Sequence, residues 1–328
     1  MYNFTSKMLI LPLMILLNIL FLSSSSYFMM WMFMEMNTFM FITLMAMNNS
    51  YYWNTIINYF IIQTMSGLML MMSILWMFYL YNYDMKWTMI LNLTILLKLG
   101  MFPFNFWYPM TMKNMIWNNI FILATFQKIM PFTFLHNFPD LLILNISIYV
   151  SSLKSTLMSI NSTNLKVMFA YSSINHMCWL MMLLLINMNM WIFYFSFYSL
   201  MSFSLCMTFK TYNLLFIKCL TNFKFSIKMK NMIMFMIMSI SGLPPFTGFI
   251  LKWLSILNLS YSFLWMTLYW LIMMSLIAMF LYLRIYMTFM FLSSHLNKNM
   301  NYINNNNNWM WMFISLMLIL FISITMLI

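Results

Sequence analysis

The sequence predicts an all-α, polytopic membrane protein with about eleven transmembrane helices. Hydrophobic residues make up 65% of its 328 residues and charged residues only 5%, whereas soluble domains carry roughly 25% charged residues. The apolar segments are long, and they do not show the alternation that marks the strands of a membrane β-barrel. Because a bilayer offers no water to backbone groups, such segments are expected to be helices, which satisfy these groups internally.

The predicted spans follow one another along nearly the whole chain, and clusters of Ser, Asn and Pro separate them. A hydrocarbon core of about 30 Å needs roughly 20 apolar residues, and most of the segments approach that length. The predicted spans are Met8–Leu22, Tyr27–Met47, Ile56–Leu80, Trp87–Trp107, Ile120–Leu135, Leu141–Met158, Val167–Ile186, Trp191–Phe209, Met232–Leu251, Tyr261–Tyr286 and Trp309–Ile328.

The first and last of these spans need separate arguments. The first lies between Lys7 and the Ser23–Ser26 cluster, a pattern that loosely resembles a secretory signal peptide. The residues after the cluster are just as apolar, so this segment is interpreted as a first span. The last span follows an Asn-rich connection, Asn297–Asn308, whose composition carries no packing signal.

The residue usage indicates a gene in an organelle genome. Met occurs 48 times, whereas Gly occurs 4 times and Asp plus Glu 3 times. An A+T-rich genome depletes residues whose codons begin with G. The excess of Met fits a code in which AUA is read as Met, as in animal mitochondria. We therefore expect a mitochondrial protein, from an animal such as an arthropod.

The distribution of charge predicts the orientation of the chain. An odd number of spans places the two termini on opposite sides of the membrane. Connections after even-numbered spans contain Lys113, the Lys210–Lys230 cluster and Lys298, whereas those after odd-numbered spans contain Asp84 with Lys86, and Asp140. The positive-inside rule then places the N-terminus on the matrix side of the mitochondrial inner membrane and the C-terminus on the intermembrane-space side.

The net charge of +12 does not indicate a nucleic-acid partner. A basic stripe or patch would favour one, but these cations are dispersed between apolar segments. The Lys210–Lys230 connection is interpreted as a solvated basic loop beside anionic lipid such as cardiolipin. The three cysteines, Cys178, Cys206 and Cys219, lack the spacing of metal ligands, so no metal site is expected.

Two short motifs predict interrupted helices. Gly100–Phe104 (GMFPF) and Gly242–Phe246 (GLPPF) share the pattern Gly-x-x-Pro-Phe within hydrophobic segments. Proline removes a backbone donor, and glycine adds conformational freedom. Interrupted helices at matching positions of two halves are typical of a transport site. The residues predicted to break the helices are Gly100, Pro103, Gly242, Pro244, Pro245 and Gly248.

Four ionisable residues within the predicted spans are candidates for function: Glu35, Lys98, Lys128 and Lys252. A charge at the bilayer centre costs about 2.5–3.5 kcal/mol on insertion scales. Burial weakens proton binding by a lysine, and a nearby carboxylate strengthens it again. A lysine that gains and loses an acid partner therefore binds and releases a proton. Glu35 and Lys98 are the candidate pair, Lys128 continues the path, and Lys252 serves the second half.

Each candidate also has a structural interpretation. Lys252 is near a span end, so its ammonium group could extend to the interface. Glu35 could neutralise a lysine without moving a proton. His176, in the string AYSSINHMCWL, either lines a hydrated path or only bonds a neighbouring helix.

These segments resemble the antiporter-like membrane subunits of respiratory complex I. The resemblance rests on LLKLGMFPFNFWYP (96–109), TFQKIMPFTFL (125–135), LKVMFAYSSINHMCWL (165–180) and ISGLPPFTGFILKW (240–253), and WMFMEMNTF (31–39) fits the acid-bearing helix of that family. By motif position, the residues that fall on the family's glutamate and three lysines are Glu35, Lys98, Lys128 and Lys252.

The resemblance implies an architecture and a set of partners. It implies two inverted five-helix repeats, 1–138 and 139–290, followed by a C-terminal segment, 291–328, and the span count matches the shortened fold of bilaterian animals, which lacks three helices. It implies proton translocation coupled to NADH oxidation and ubiquinone reduction elsewhere in the complex. FMN, iron–sulfur clusters and ubiquinone are then expected on partner subunits, and the partners include other complex I membrane subunits, among them neighbouring antiporter-like chains.

The chain departs from the fullest pattern of that family in its second half. No carboxylate side chain follows Asp140, so the sequence does not establish a complete second Glu–Lys pair. It also carries no Cys-rich cluster motif, dinucleotide fingerprint or phosphate loop, and no redox chemistry or cofactor is expected in this chain. Two other functions remain open: a stand-alone cation/proton antiporter, and a structural membrane spacer.

Overall fold

The computed structural model describes residues 2–48, 53–79, 85–217, 219, 227–244, 246–260 and 264–296, and over these residues the chain is helical with no strand. The all-α prediction is therefore confirmed for the described residues. The predicted eleventh span, the Asn-rich connection before it, Asp84, Pro245, and Lys218 and Lys224 of the Lys210–Lys230 cluster lie outside them.

The described helices are numbered here in chain order. They are α1 (Tyr2–Ser23), α2 (Tyr27–Asn48), α3 (Trp53–Tyr79), α4 (Met85–Leu99), α5 (Trp107–Asn114), α6 (Trp117–Ala124), α7 (Phe126–Asn137), α8 (Leu141–Asn161), α9 (Leu165–Ile186), α10 (Met188–Thr211), α11 (Ile227–Ser241), α12 (Thr247–Ser260) and α13 (Trp265–Leu296).

The surface of the bundle is suited to lipid rather than water. Six of the described helices are long and apolar enough to cross a membrane, namely α2, α3, α8, α9, α10 and α13. Large apolar side chains cover the outside, with Leu142, Met266 and Phe280 each more than two-thirds exposed. Contiguous apolar surface of this kind is rare on soluble monomers, and the prediction of a polytopic membrane protein is confirmed.

Two helix interruptions occur at the Gly-x-x-Pro-Phe motifs. Residues 100–106 separate α4 from α5, and residues 242–246 separate α11 from α12. Gly100 has a φ of +71° and Gly242 a φ of +79°, and glycine reaches this left-handed region without steric cost. Pro103 and Pro244 lie inside the two interruptions.

A third interruption, between α6 and α7, was not predicted from the sequence. Thr125 separates the two helices, with φ −121° and ψ −79°. Its hydroxyl donates to the carbonyl of Phe121 at 2.8 Å, a local bond that competes with the helical pattern. Pro131, inside α7, has no N–H for the carbonyl one turn earlier. The predicted span Ile120–Leu135 is therefore two helices separated at Thr125, and Pro131 lies within the second of them.

Helix α9 lies at the centre of the bundle. Its span is 78% buried, whereas those of α2, α3, α8 and α13 are 33–39% buried. It contacts α5, α7, α8, α10 and α12. Because protein rather than lipid surrounds it, α9 carries polar side chains at mid-length, among them Ser173, Asn175 and His176, and all three are buried.

Candidate functional site

Helices α2 and α4 bring an acid and a base together inside the bundle. Lys98 lies in the last turn of α4, and its Nζ donates to Glu35 Oε1 on α2 at 2.6 Å. The Lys98 side chain is 2% exposed and that of Glu35 13%. Loss of one partner from a buried pair leaves an uncompensated charge, so each group depends strongly on the other.

Helix α3 forms the wall behind this ion pair. Gln63 Nε2 donates to the carbonyl oxygen of Lys98 at 3.4 Å. Gly67 faces the carboxylate, and a Cβ at Gly67 would lie 2.5 Å from Glu35 Cδ. Trp31, one turn before Glu35 on α2, donates from Nε1 to the carbonyl oxygen of Gly67 at 2.8 Å. The contact between α2 and α3 therefore leaves room for the carboxylate and for little else.

A first cavity lies beside Lys98. Its volume is about 20 Å³, and a cavity of that size holds about one water molecule. The polar side chains in its wall include Gln63, Gln127, Tyr108 and Lys128. The cavity therefore connects the surroundings of the Glu35–Lys98 pair with those of the second predicted lysine.

Lys128 is held by hydroxyl groups rather than by a carboxylate. It lies in the first turn of α7, directly after the interruption at Thr125. Its Nζ donates to the Tyr108 hydroxyl at 2.7 Å and lies 4.6 Å from the centroid of that ring. Tyr108, on α5, is in turn 2.8 Å from Ser173 Oγ on α9.

The direction of these hydrogen bonds follows from the bond that Ser173 makes. The Ser173 hydroxyl donates to the carbonyl of Ala170 at 2.7 Å, and a hydroxyl has one hydrogen. Tyr108 therefore donates to Ser173 and accepts from Lys128. The result is a chain of hydrogen bonds from the Lys128 ammonium group through the Tyr108 hydroxyl to Ser173 on α9.

His176 lies one turn after Ser173 on α9. Its Nε2 is 3.2 Å from the carbonyl oxygen of Ile240, and its Nδ1 is 2.9 Å from the Tyr194 hydroxyl. A carbonyl oxygen only accepts, so Nε2 carries a hydrogen, and Nδ1 of the neutral ring accepts from Tyr194. His176 thus makes interhelical bonds, and it also lines a second cavity.

Lys252 points into the bundle and not towards a span end. Its Nζ donates to the carbonyl oxygen of Ser241 at 2.9 Å, and the residue is 8% exposed. Ile240 and Ser241 are the last residues of α11, where helix carbonyls lack partners within the helix. The interruption at Gly242 therefore provides adjacent carbonyls for His176 and Lys252. The alternative interpretation of Lys252, with its ammonium group at the membrane interface, does not describe its side chain.

The second cavity lies between His176 and Lys252. Its volume is about 20 Å³, and Asn175, Trp179 and Tyr282 also line it. Helix α9 contributes His176 to the wall of the second cavity, and its Ser173 bonds Tyr108, which lies in the wall of the first. Among the described residues no group of three or more His, Cys, Asp or Glu side chains could hold a metal ion.

One of the predicted helix-breaking residues has a different role in the structure. Gly248 is the second residue of α12 and so lies outside the interruption. A Cβ at this position would lie 3.1 Å from the carbonyl carbon of Ser239, and closer still to its oxygen. Gly248 therefore allows the first turn of α12 to pack against the end of α11 instead of ending a helix.

A further lysine inside a predicted span, Lys154, was missing from the sequence-based set. It is half-buried on α8, and its Nζ lies 3.6 Å from the ring centroid of Phe106, in the interruption between α4 and α5. A cation–π contact is worth about 0.5–2 kcal/mol, whereas a lysine at the bilayer centre costs about 2.5–3.5 kcal/mol on insertion scales. The ring alone therefore does not compensate for this charge.

Tyr108 and Ser173 were also missed by the sequence-based interpretation. The chain contains 19 Tyr, and Ser is common throughout, so neither residue type stands out. The available signal was position: Tyr108 follows the Gly100–Phe104 motif, and Ser173 precedes His176 by one turn.

Comparisons with known proteins give a matching family and several named relatives. The family described as NADH:quinone oxidoreductase/Mrp antiporter, TM, matches residues 24–281. A protein of Anopheles gambiae named NADH-ubiquinone oxidoreductase chain 2 is 35% identical over 73% of this chain and 72% of its own length. The protein of the same name from Locusta migratoria is 34% identical over 77% of this chain and 76% of its own length.

The fold is similar to that of a chain in a solved respiratory assembly. A chain of respiratory complex I from Thermus thermophilus superposes with a TM-score of 0.75 at 16% identity, and the match covers 90% of this chain and 72% of that one.

Proposed function

Because the chain belongs to the NADH:quinone oxidoreductase/Mrp antiporter transmembrane family, we propose that it is a core membrane subunit of respiratory complex I, of the chain 2 type. The insect relatives that carry this name match about three quarters of the chain. The proposed location is the mitochondrial inner membrane, with the N-terminus on the matrix side and the C-terminus on the intermembrane-space side. The residue usage and the distribution of lysines support this location and orientation.

The proposed architecture has two inverted five-helix repeats, 1–138 and 139–290, and an eleventh span within 291–328. Each interrupted pair, α4–α5, α6–α7 and α11–α12, counts as one span. The described helices then supply five spans before residue 138 and five after it. The interruptions at Gly100 and Gly242 fall in the fourth span of each set, as matching positions of two repeats require.

The proposed activity is proton translocation, and the observation that carries it is the buried 2.6 Å pair of Glu35 and Lys98 beside a cavity. An ammonium group in a low dielectric holds its proton less tightly when its carboxylate partner moves away. Separation of the pair therefore releases a proton towards the first cavity. Moving one charge across the membrane potential represents about 2.3 kcal/mol per 100 mV. The free-energy difference between the paired and the separated state of one such pair can match that amount.

The rest of the proposed path follows the other buried cations. Lys128 lines the same cavity as Lys98 and donates to Tyr108. His176 and Lys252 line the second cavity and serve the second half, which has no carboxylate partner among the described residues. NADH oxidation and ubiquinone reduction take place elsewhere in the complex, so FMN, the iron–sulfur clusters and ubiquinone belong to partner subunits.

The first experiment tests the assembly. Mildly solubilised mitochondrial membranes are separated on a native gel, stained for NADH oxidation and probed for this chain. Co-migration with the large NADH-oxidising band is the expected result. A chain that runs alone, or in a band without that activity, would instead indicate a stand-alone cation/proton antiporter.

The second experiment tests proton translocation in the assembled complex. Lys98→Met is expected to leave the NADH-oxidising band in place and to lower the number of protons moved per NADH in reconstituted vesicles. Unchanged stoichiometry in the assembled variant would identify the chain as a structural membrane spacer.

A further inference from the structure

The outer face of α8 carries a cation that the proposed proton path does not use. Lys154 is half-buried, and its ammonium group lies 3.6 Å from the centroid of the Phe106 ring. Phe106 is 64% exposed. One turn along α5 and α8 respectively, Met110 is 67% exposed and Met158 is 46% exposed. These four residues, Phe106, Met110, Lys154 and Met158, form what we call the Lys154 surface.

The ammonium group lies well inside the membrane and not at its edge. Lys166 Nζ, at the start of α9, donates to the carbonyl of Met115 at 2.5 Å, so the end of α5 and the end of α8 lie at one face of the bundle. Phe106 precedes the eight residues of α5, and it is therefore about 12 Å from that face at 1.5 Å per residue. Helix side chains lean towards the N-terminus, so Lys154 leans away from its nearer end.

Neither of the two acidic side chains that the structure describes, Glu35 and Asp140, is in a position to pair with Lys154. The sequence contains three, Glu35, Asp84 and Asp140. Glu35 is held by Lys98 at 2.6 Å. Asp140 caps the start of α8, which places it about 21 Å along the helix from Lys154.

We propose that the Lys154 surface is an interface with a neighbouring membrane subunit, and that the partner is a transmembrane helix carrying an Asp or Glu at mid-depth. Ionisable side chains inside a membrane pair with one another or face a hydrated cavity, and Lys154 lines neither of the two cavities described above. Charge complementarity therefore selects a carboxylate, and the exposed apolar side chains around Lys154 select a helix in lipid. This inference rests on the proposed assembly with other membrane subunits and not on proton transport.

A carbodiimide that partitions into lipid tests the pairing directly. In the intact complex, dicyclohexylcarbodiimide activates membrane carboxyl groups, and an amine in contact displaces dicyclohexylurea to form an amide. Cyanogen bromide then cleaves after Met130 and Met158 and releases residues 131–158, in which Lys154 is the single lysine. The expected product joins this fragment, through Lys154, to an acidic residue of another chain. A product that joins Lys154 to Asp140 or to phosphatidylserine would overturn the proposal.

Amino-acid substitutions test the interface independently of the carbodiimide cross-link. Lys154→Met is expected to reduce the share of the chain in the NADH-oxidising band roughly threefold, the size of an average interhelical polar contact. Lys154→Arg should restore it. Lys113→Met is the matched control, because Lys113 is an exposed lysine in the last turn of α5. Undiminished assembly of Lys154→Met would contradict the interface, and the proposed function would still stand if the chain remained in the band.

Discussion

The carboxylate of Glu35 lies in the space that a side chain at Gly67 would fill. A Cβ on Gly67 would approach Glu35 Cδ to 2.5 Å and Oε2 to 2.9 Å. The same carboxylate binds Lys98 on the opposite side. The geometry of the buried ion pair is therefore set by a third helix, α3, that contributes no charge to it.

Gly67→Ala tests this relationship. The added methyl group must displace the carboxylate or push α3 away from α2, and overpacking of this kind costs about 1–3 kcal/mol. We expect the variant complex to dissociate at lower temperature on native gels and to move fewer protons per NADH. Ser66→Ala is the matched control on the same helix, because the Ser66 hydroxyl bonds only the carbonyl of Gln63 within α3. Equal effects of the two substitutions would show that the space at Gly67 has no special role.

A pair of variants separates neutralisation of Glu35 from proton transport. Lys98→Met alone leaves Glu35 buried without its partner, and such a change costs about 3–5 kcal/mol. The double variant Glu35→Gln/Lys98→Met removes both charges, so the temperature at which the complex dissociates, lowered in Lys98→Met, should recover. Proton translocation should remain low, because the titrating pair is gone. Recovery of stability and translocation together would mean that Glu35 only neutralises Lys98.

Tyr108→Phe tests the chain of hydrogen bonds that leads from Lys128 to α9. The substitution keeps the ring that the Lys128 ammonium group faces at 4.6 Å. It removes the hydroxyl that joins Lys128 to Ser173, and a hydrogen bond to a charged group is worth about 1.5–3 kcal/mol. We expect normal assembly and fewer protons per NADH in vesicles.

The control for that variant is Tyr149→Phe. Tyr149 packs its ring against Trp270 at the contact between α8 and α13, with the centroids 5.7 Å apart, and it lines neither cavity. Removal of the Tyr149 hydroxyl should change proton translocation little. If Tyr108→Phe behaves like this control, the hydroxyl has no part in the path.

Gly242→Ala tests the second interruption. Alanine at a φ of +79° is strained by about 1–2 kcal/mol, and its Cβ would lie 2.7 Å from Lys252 Nζ. The variant should be less stable and should displace Lys252 from the Ser241 carbonyl. Adding Lys252→Met removes the closest contact, which is to Nζ, but not the backbone strain, so the double variant should recover part of the lost stability. Full recovery would show that the backbone at Gly242 is not strained by a side chain.

The parts of the fold that could be predicted are those with a strong local signal. Long apolar segments predict membrane helices, and the two glycines that precede Pro103 and Pro244 coincide with the observed interruptions. The interruption at Thr125 lacks such a signal, because a threonine that bonds its own helix looks like any other threonine in sequence. Its position depends on tertiary packing, which a single segment does not encode.

The same limit applies to the candidate site. Glu35 and Lys98 are conspicuous because charges are scarce, and the structure places them in contact. The space at Gly67 and the contacts of Tyr108 depend on residues far apart in the sequence, so no local pattern predicts them. Lys154 differs: it was visible inside a predicted span, and the structure shows it on the outer face, at the interruption between α4 and α5.

The central position of α9 has a consequence for the order in which the protein is made. Among the helices that cover α9, α10 and α12 are synthesised after it. Tyr194 lies on α10 and Ile240 lies on α11, so until both helices have been made the His176 side of α9 has neither the Tyr194 hydroxyl nor the carbonyl of Ile240 to bond. A ribosome-bound chain that has just released α9 therefore exposes unpaired polar groups to its surroundings, and we expect α9 to stay in contact with the insertion machinery until α10 and α11 have been translated.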